Sequence, residues 1–216
     1  MSQPPQAPPV RVIKVGGSLL DEPRLPVLLR DWLARQPIAG NVVLVGGGSL
    51  VDAIRQLDQI HQFGEERSHW LAVRAMRVTA RLVRELLPSA EIVEQFESLV
   101  GRLDMREPPR PTIFDVWQFL REVEPYVAGD RLPRTWQATS DSIAARLACA
   151  LARRGLPLAE LVLLKSTLPP RDATLPDSTA AGIVDACFLQ QAASMPRVRL
   201  VNLRSDSFDE QIWPVR

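Results

Sequence analysis

Two lysines stand out in this sequence because every other basic residue is an arginine. The 216 residues contain 26 basic side chains, of which only Lys14 and Lys165 are lysines. Each follows an apolar run and precedes small residues, where a mobile ammonium group can meet a phosphate. An ammonium group can also neutralise the charge of a phosphoryl group during its transfer. The sequence therefore predicts anion chemistry at both lysines.

Glycine turns supply the second part of this chemistry. Gly16 and Gly17 follow Lys14 and precede Ser18, and three glycines at 46–48 follow another apolar segment. Glycine lets the backbone approach a ligand closely and point its N–H groups at phosphate oxygens. One glycine pair would indicate only a tight turn, but two such turns, each between a strand and a helix, favour phosphate binding. Neither turn fits the P-loop pattern or the dinucleotide-binding pattern.

Alternating apolar and amphipathic segments must position these turns. Strands are predicted at 11–15, 42–45, 91–93, 112–114, 161–165 and 197–203. The strand at 197–203 is predicted to be the final strand. Helices are predicted at 21–34, 50–61, 65–87, 114–127, 140–153 and 182–193, with loops at 102–111 and 166–179. Strands that alternate with helices predict an α/β fold with an open, mainly parallel sheet covered by helices on both faces. Ligands of such sheets bind beyond the carboxyl ends of the strands, where both lysines and both glycine turns fall.

Composition narrows the class of protein. The chain is 46% hydrophobic, enough for a single domain at 10–216 after a proline-rich tail at 1–9 that we expect to be disordered. A net charge of +1 gives no electrostatic case for nucleic-acid binding. No signal peptide and no apolar run near the ~20 residues of a membrane span is recognisable, so we expect a cytoplasmic protein. Cys149 and Cys187 are expected to be buried free thiols rather than a disulfide.

Three segments resemble the amino acid kinase superfamily, which includes acetylglutamate, aspartate and uridylate kinases. They are VIKVGGS at 12–18, VLVGGG at 43–48 and TSDSIAA at 139–145, in the order of that family. The segment LPRTWQATSDSI at 132–143 is similar to a signature of its short, archaeal-type branch, and 69–76 and 182–185 also resemble that branch. The branch contains the kinase that converts aminomethylfuran-methanol phosphate to its diphosphate.

The resemblance implies an amino acid kinase-like three-layer fold and an ATP-dependent phosphotransferase that uses Mg²⁺. Its acceptor would be a small phosphorylated metabolite, and a bacterial relative would fit methylofuran synthesis in one-carbon metabolism. The implied catalytic residues are Lys14, Asp141 and Lys165. The implied ATP-binding residues are Gly16, Gly17, Ser18, Lys165, Ser166 and Thr167. The implied acceptor-binding residues are Gly46, Gly47, Gly48, His69, Arg74, Thr139 and Ser140. Such kinases are usually homo-oligomers, which is therefore expected here.

One segment departs from the superfamily pattern. After the corresponding strand, members usually carry an Asp-Gly turn and a further lysine for the nucleotide, whereas Lys165 is followed by Ser-Thr-Leu-Pro-Pro. Three outcomes stay open at this stage. Lys165 takes over the role from a different backbone position, an arginine such as Arg171 does so, or nucleotide binding is weakened or lost.

Other functions and plainer roles also remain open. The chain is alternatively a kinase for a carboxylate or a nucleoside monophosphate, or a binding protein without catalysis on the same fold. Asp141 is alternatively an acidic residue that a helix dipole favours in its first turn, and Lys165 a strand-end lysine that reaches solvent. His69 lines a pocket or lies on the surface. Arg74 and Arg77 bind an anionic acceptor or are solvated helix charges.

Four further residues carry two interpretations each. Trp136 forms the floor of the pocket or is an ordinary core aromatic. Asp172, Asp177 and Asp185 contribute to Mg²⁺ binding or are solvated carboxylates of a proline-rich loop. The sequence alone does not choose between these interpretations.

Overall fold

The computed structural model of the chain describes residues 8–105, 110–171 and 173–213. Its strands are β1 (Val10–Val15), β2 (Gly40–Val45), β3 (Glu91–Val93), β4 (Thr112–Phe114), β5 (Leu158–Lys165), β6 (Val198–Asn202) and β7 (Glu210–Trp213). Its α-helices are α1 (Leu25–Ala34), α2 (Gly48–His61), α3 (Glu65–Leu86), α4 (Phe96–Leu103), α5 (Ser140–Arg153), α6 (Leu175–Ala180) and α7 (Phe188–Ala192). Short 3-10 turns lie at Gly17–Leu19 and Glu124–Tyr126, and a π-helical turn lies at Phe119–Val123.

The sheet brings the ends of its three central strands to one edge. Its strand order is β3-β4-β2-β1-β5-β6-β7, and every neighbouring pair is parallel except β6 and β7. In register, Val15 of β1 lies beside Val45 of β2 and Leu164 of β5. The loops that follow these strands therefore meet at the carboxyl edge, where ligands of such sheets bind. The predicted open, mainly parallel α/β sheet is confirmed.

Helices cover both faces of this sheet. On one face, α4, α5 and α7 pack against strand residues that include Val12, Leu44 and Leu163. On the other face, α1 and the second half of α3 pack against residues that include Ile13 and Val43. Side chains alternate along a strand, so the side chain of Lys14 lies on the same face as Val12, toward α5.

The structure departs from the predicted elements mainly in the second half of the chain. The loop predicted at 166–179 contains α6, whose Pro176 occupies the first turn, where proline is tolerated. A capping box between Thr174 and Asp177 starts that helix. The helix predicted at 182–193 is wrong in its first half, because Gly182 has a left-handed φ of 69° and α7 begins only at Phe188.

Smaller departures concern the remaining boundaries. The helix predicted from Asp21 begins at Leu25, and α4 lies in a part of the chain to which the sequence assigned no element, except for its last two residues in the predicted loop at 102–111. The strand predicted as the last is followed by β7, which pairs antiparallel with β6. The disordered tail predicted at 1–9 falls mostly on residues 1–7, which lie outside the described residues. Over the described ranges, no helix is both long enough and apolar enough to cross a bilayer.

Candidate functional site

The two glycine turns lie in direct contact. A Cβ atom added to Gly17 would lie 2.4 Å from the backbone nitrogen of Gly48, and one added to Gly46 would lie 2.9 Å from the nitrogen of Gly17. The same Cβ on Gly46 would lie 3.0 Å from the Oγ atom of Ser140, at the start of α5. Only glycine permits this approach of backbone to backbone. The two turns and the first turn of α5 therefore form one continuous surface at the carboxyl edge of the sheet.

A buried carboxylate holds both lysines beside this surface. The Nζ atom of Lys14 lies 2.9 Å from Oδ1 of Asp141, outside hydrogen-bond geometry, so this contact is an ion pair. The Nζ atom of Lys165 donates to Oδ2 of Asp141 at 2.7 Å and to the carbonyl oxygen of Ile183 at 2.7 Å. The exposed fractions are 5% for Lys14 and 4% for Asp141. We call these three residues the Lys14–Asp141–Lys165 cluster. Strand β1 contributes Lys14, helix α5 contributes Asp141 and strand β5 contributes Lys165.

The electrostatics of this cluster favour a bound anion. Burial alone would raise the pKa of Asp141, but the charges of the two lysines and the hydrogen bond from Lys165 outweigh burial and hold that pKa below its ordinary value. Burial, together with the nearby charge of Lys14, lowers the pKa of Lys165 to about 8, although Asp141 opposes this shift. By formal charge, two lysines and one carboxylate leave one positive charge in excess, which favours a bound anion.

The start of helix α2 adds polar backbone groups to the same region. The helix begins at Gly48. Its capping residue is Gly47, which has no side chain that could accept a hydrogen bond from the first turn. The first N–H groups of a helix have no partner within the helix, and the helix dipole favours an anion near them. Gly48 has a left-handed φ of 55°, which glycine adopts without strain.

A cavity of about 210 Å³ opens beside the glycine turns. One wall is apolar and includes Val51, Met76 and Ile143, and the glycine turns and the start of α5 form a polar wall. The cavity lies between α2, α3, α5 and the segment that precedes α5. Its lining consists of Gly17, Ser18, Gly46, Gly47, Gly48, Val51, Asp52, Arg55, His69, Ala72, Val73, Met76, Thr135, Trp136, Ala138, Thr139, Ser140 and Ile143.

Polar and aromatic side chains complete the cavity at its outer side. His69 is only 4% exposed, and burial lowers its pKa, so the imidazole is neutral at pH 7. The guanidinium of Arg55 lies 4.7 Å from the centre of the Trp136 ring, and the indole N–H of Trp136 donates to Asp58 at 2.9 Å. This wall offers one cation, Arg55, which lies next to an aromatic face and 3.5 Å from the Asp52 carboxylate.

Most of the predicted site residues lie in this region. Besides the lysine cluster, the cavity lining includes His69, Thr139, Ser140 and the three glycines at 46–48. The hydroxyl oxygens of Ser18 and Ser166 lie 3.0 Å apart, which joins the loops after β1 and β5. Thr167 follows as an exposed residue.

Other predicted residues lie elsewhere. Arg74 is exposed and does not line the cavity, because its guanidinium lies 5.1 Å from the centre of the Trp117 ring. Arg77 donates to Asp115 at 2.8 Å. The carbonyl oxygen of Arg171 accepts a hydrogen bond from Gln211 of β7, at the far edge of the sheet.

The three aspartates considered as Mg²⁺ ligands separate in the structure. Asp177 caps α6, Asp185 caps α5, and Asp172 lies outside the described residues. Among the residues that the structure describes, no three His, Cys, Asp or Glu side chains are close enough to hold a metal ion. Cys149 and Cys187 are free and half-buried.

Sequence reasoning missed Arg55 as part of the cavity. Arg55 lies four residues after Val51 and seven after Gly48, a spacing that places all three on one face of α2. That spacing is the one sequence signal that could have placed Arg55 beside the glycine turn at the start of α2. Nothing local indicated that this face, rather than another, turns toward α5.

Comparisons with known proteins support the fold. The chain is similar to an aspartate kinase from Synechocystis, with a TM-score of 0.60 and 16% identity over 96% of this chain and 40% of that chain. It is similar to an aspartate kinase from Clostridium acetobutylicum, with a TM-score of 0.54 and 10% identity over 94% and 62% of the two chains. A uridylate kinase from Archaeoglobus fulgidus matches with a TM-score of 0.48 and 19% identity over 77% and 70%.

The two aspartate kinase matches show that the chain has the fold of those kinases, which confirms the predicted amino acid kinase-like architecture. The chain spans about 40% and 62% of their lengths. No family model matches the chain, and no curated protein sequence does either.

The contact between the glycine turns predicts a loss of stability in Gly17→Ala. The added methyl group would meet the backbone of Gly48, and such overpacking costs about 1–3 kcal/mol. The melting temperature should fall by roughly 2–12 °C, measured by differential scanning calorimetry. Gly101→Ala is the matched control, because a Cβ there meets nothing within 4 Å in helix α4. Equal melting temperatures for the two variants would contradict the contact.

Proposed function

We propose that this chain is an ATP-dependent phosphotransferase that acts on a small phosphorylated metabolite. The observation that carries the proposal is a pair of ammonium groups, the buried Lys14 and the half-buried Lys165, that one buried carboxylate holds beside two touching glycine turns. Fixed positive charges and backbone N–H groups are the main requirement of phosphoryl transfer, because the transferring group carries dispersed negative charge.

Each member of the Lys14–Asp141–Lys165 cluster has a distinct role in this proposal. The ammonium groups of Lys14 and Lys165 neutralise the charge of the phosphoryl group as it moves from ATP to the acceptor. Asp141 keeps the two ammonium groups at a fixed separation. Both of its oxygens contact lysines, so it acts as an organiser rather than as a proton acceptor. No covalent intermediate is required, because positioning and charge neutralisation suffice.

ATP fits the residues present at the carboxyl edge. The backbone N–H of Gly17 and the hydroxyl groups of Ser18 and Ser166 lie at the ends of β1 and β5, beside Lys165. The N–H of Gly16, which the sequence also suggested for ATP, instead donates to the carbonyl oxygen of Leu164 at 2.9 Å. Lys165 therefore takes the place of the further lysine that the superfamily carries later in its sequence. Mg²⁺ would arrive with the nucleotide, since this ion is usually held by substrate phosphates, water and one or two carboxylates.

The cavity between α2 and α5 is proposed to receive the acceptor. Its volume of about 210 Å³ is below the roughly 300–1,000 Å³ of pockets for drug-sized ligands. Its apolar wall suits a small ring, and Arg55 and the uncapped start of α2 suit a phosphate group. These features support aminomethylfuran-methanol phosphate as the acceptor, with the diphosphate as the product, on a methylofuran-type route of one-carbon metabolism.

Two alternative functions use the same site. A nucleoside monophosphate or a carboxylate is the acceptor in the first, which the fold of aspartate kinases favours. In the second, the chain binds a phosphorylated ligand without transferring a phosphoryl group, and the short segment after Lys165 favours this alternative.

The setting proposed for this activity is a cytoplasmic homo-oligomer that binds neither nucleic acid nor membrane. Exposed Val78 and Leu82 of helix α3 offer an apolar patch for a second copy. The near-neutral charge of the chain gives no attraction to anionic polymers or lipids.

Ligand binding and turnover separate these functions. The melting temperature should rise with Mg-ATP, and rise further with the correct acceptor, because ligands that bind only the folded state stabilise it. The panel contains aminomethylfuran-methanol phosphate, UMP, aspartate and acetylglutamate, and ADP release is then measured for each. Stabilisation without ADP release would support the binding protein. If none of these ligands stabilises the protein and no ADP is released, the proposal is contradicted.

Removal of the Lys14 charge should impair transfer more than folding. In Lys14→Met, kcat should fall by about 10²–10³-fold, the usual cost of losing one group that stabilises the transition state. Asp141 keeps Lys165 as its partner in this variant, so circular dichroism should show a folded protein. Arg30→Met removes an exposed cation and is the control, with unchanged kcat. Full turnover by Lys14→Met would exclude Lys14 from the mechanism.

The pH profile of kcat/KM should report Lys165. The pKa of this group is lowered to about 8 in the free protein, so its positive charge is present below pH 8 and is lost as the pH rises through that value. We expect kcat/KM, which reflects the free enzyme, to decline above pH 8. An arginine stays charged at these pH values, so the decline should be absent in Lys165→Arg. A profile that stays flat up to pH 10 in the wild-type protein would contradict this role.

A further inference from the structure

The Asp185 carboxylate binds the beginning of helix α5 from outside the helix. It accepts hydrogen bonds from the backbone N–H of Thr139 at 3.1 Å, from the hydroxyl of Thr139 at 2.6 Å and from the backbone N–H of Ser142 at 3.1 Å. It also accepts from the hydroxyl of Ser142. The N–H of Cys187 donates to the same carboxylate at 3.0 Å, which fixes the turn that carries Asp185.

This arrangement differs from an ordinary helix cap. Thr139 is the capping residue of α5, but its own hydroxyl accepts only the N–H of Asp141, at 3.3 Å. The two groups that Asp185 holds most directly, at Thr139 and Ser142, flank Asp141 in the chain. The orientation of the Asp141 side chain therefore depends on a residue that lies outside α5.

The same segment also holds Lys165. Two residues before Asp185, the carbonyl oxygen of Ile183 accepts a hydrogen bond from the Lys165 ammonium at 2.7 Å. One short turn thus contacts both sides of the ion pair between Lys165 and Asp141. A shift of this turn would change the separation of the two charges and would admit water to the lysine.

We propose that Asp185 is a positioning residue that sets the geometry of Lys165 and Asp141. It does so by tying the first turn of α5 to the segment whose Ile183 carbonyl holds the Lys165 ammonium. The geometric part of this proposal is independent of the reaction. Its consequence for phosphoryl transfer rests on the function proposed above, where a misplacement of about 1 Å is enough to cost 10²-fold in rate.

Nuclear magnetic resonance of the lysine side chains tests the geometric part without any substrate. The chain has only two lysines, so a protein labelled with ¹³C-lysine gives two ε-carbon signals, which Lys14→Arg assigns. In Asp185→Asn the amide accepts fewer of the hydrogen bonds, the turn loosens and Lys165 gains water. Since burial is the main cause that lowers the pKa of Lys165 to about 8, that pKa should rise by about one unit or more. Lys14 and Asp141 are the charged groups that face Lys165, and neither is altered.

Asp177→Asn is the matched control for this variant. Asp177 forms the same type of capping contact, with Thr174 at the start of α6, but it contacts neither lysine. This variant should lose some stability and leave the Lys165 pKa unchanged. If Asp185→Asn does not fold, Ser142→Ala removes one of the hydrogen bonds to Asp185 and should shift the same pKa in the same direction by a smaller amount.

Kinetics then separate this proposal from the proposed function. At 25 °C, folded Asp185→Asn should lose about 10-fold or more in kcat, with little change in the KM for the acceptor, whereas Asp177→Asn should retain the wild-type kcat. A shifted Lys165 pKa in a protein that releases no ADP under any condition would support the positioning role and contradict the phosphotransferase. An unchanged Lys165 pKa and an unchanged kcat in folded Asp185→Asn would overturn the positioning role.

Discussion

One buried carboxylate contacts two ammonium groups, those of the buried Lys14 and the half-buried Lys165, and so fixes β1, β5 and α5 relative to one another. Removing one partner of a buried ion pair typically costs about 3–5 kcal/mol, because it leaves an uncompensated charge away from water. Asp141 on α5 must therefore stay in place relative to Lys14 on β1 and Lys165 on β5. By formal charge, the cluster has one positive charge in excess of its carboxylate. The fold thus holds a charge imbalance at the edge where its loops converge.

Strand register and backbone contact explain why these charges and the glycine turns converge at one edge of the sheet. Parallel pairing of β1 with β2 and β5 aligns the ends of all three strands. Gly17 and Gly48 then bring two backbone turns closer together than any side chain would allow. Because these turns are backbone, their N–H groups are fixed in direction without a loss of side-chain entropy. The cations lie below this surface and the uncapped start of α2 lies beside it.

Arginine and lysine divide two tasks between the ends of the sheet. Near the amino ends of the strands, Arg11 and Arg199 donate to Glu160 at 2.6 and 2.8 Å. The guanidinium group is always charged and binds in a fixed planar geometry, which suits a structural network. The lysine ammonium is a compact charge on a flexible stem, which allows two of them to share one carboxylate. The two lysines of the chain both occur near the carboxyl ends of the strands.

The sequence by itself determined the parts of this protein that depend on neighbours in the chain. It located the glycine turns, the apolar strands that precede them and the start of α5 at Ser140, because turn, strand and cap preferences act over a few residues. Only the tertiary structure decided that Lys165 meets Asp141, that Asp185 caps α5 and that Arg55, not Arg74, lines the cavity. These contacts join residues far apart in the chain. Their geometry follows from strand register and helix packing, which no local pattern of residues encodes.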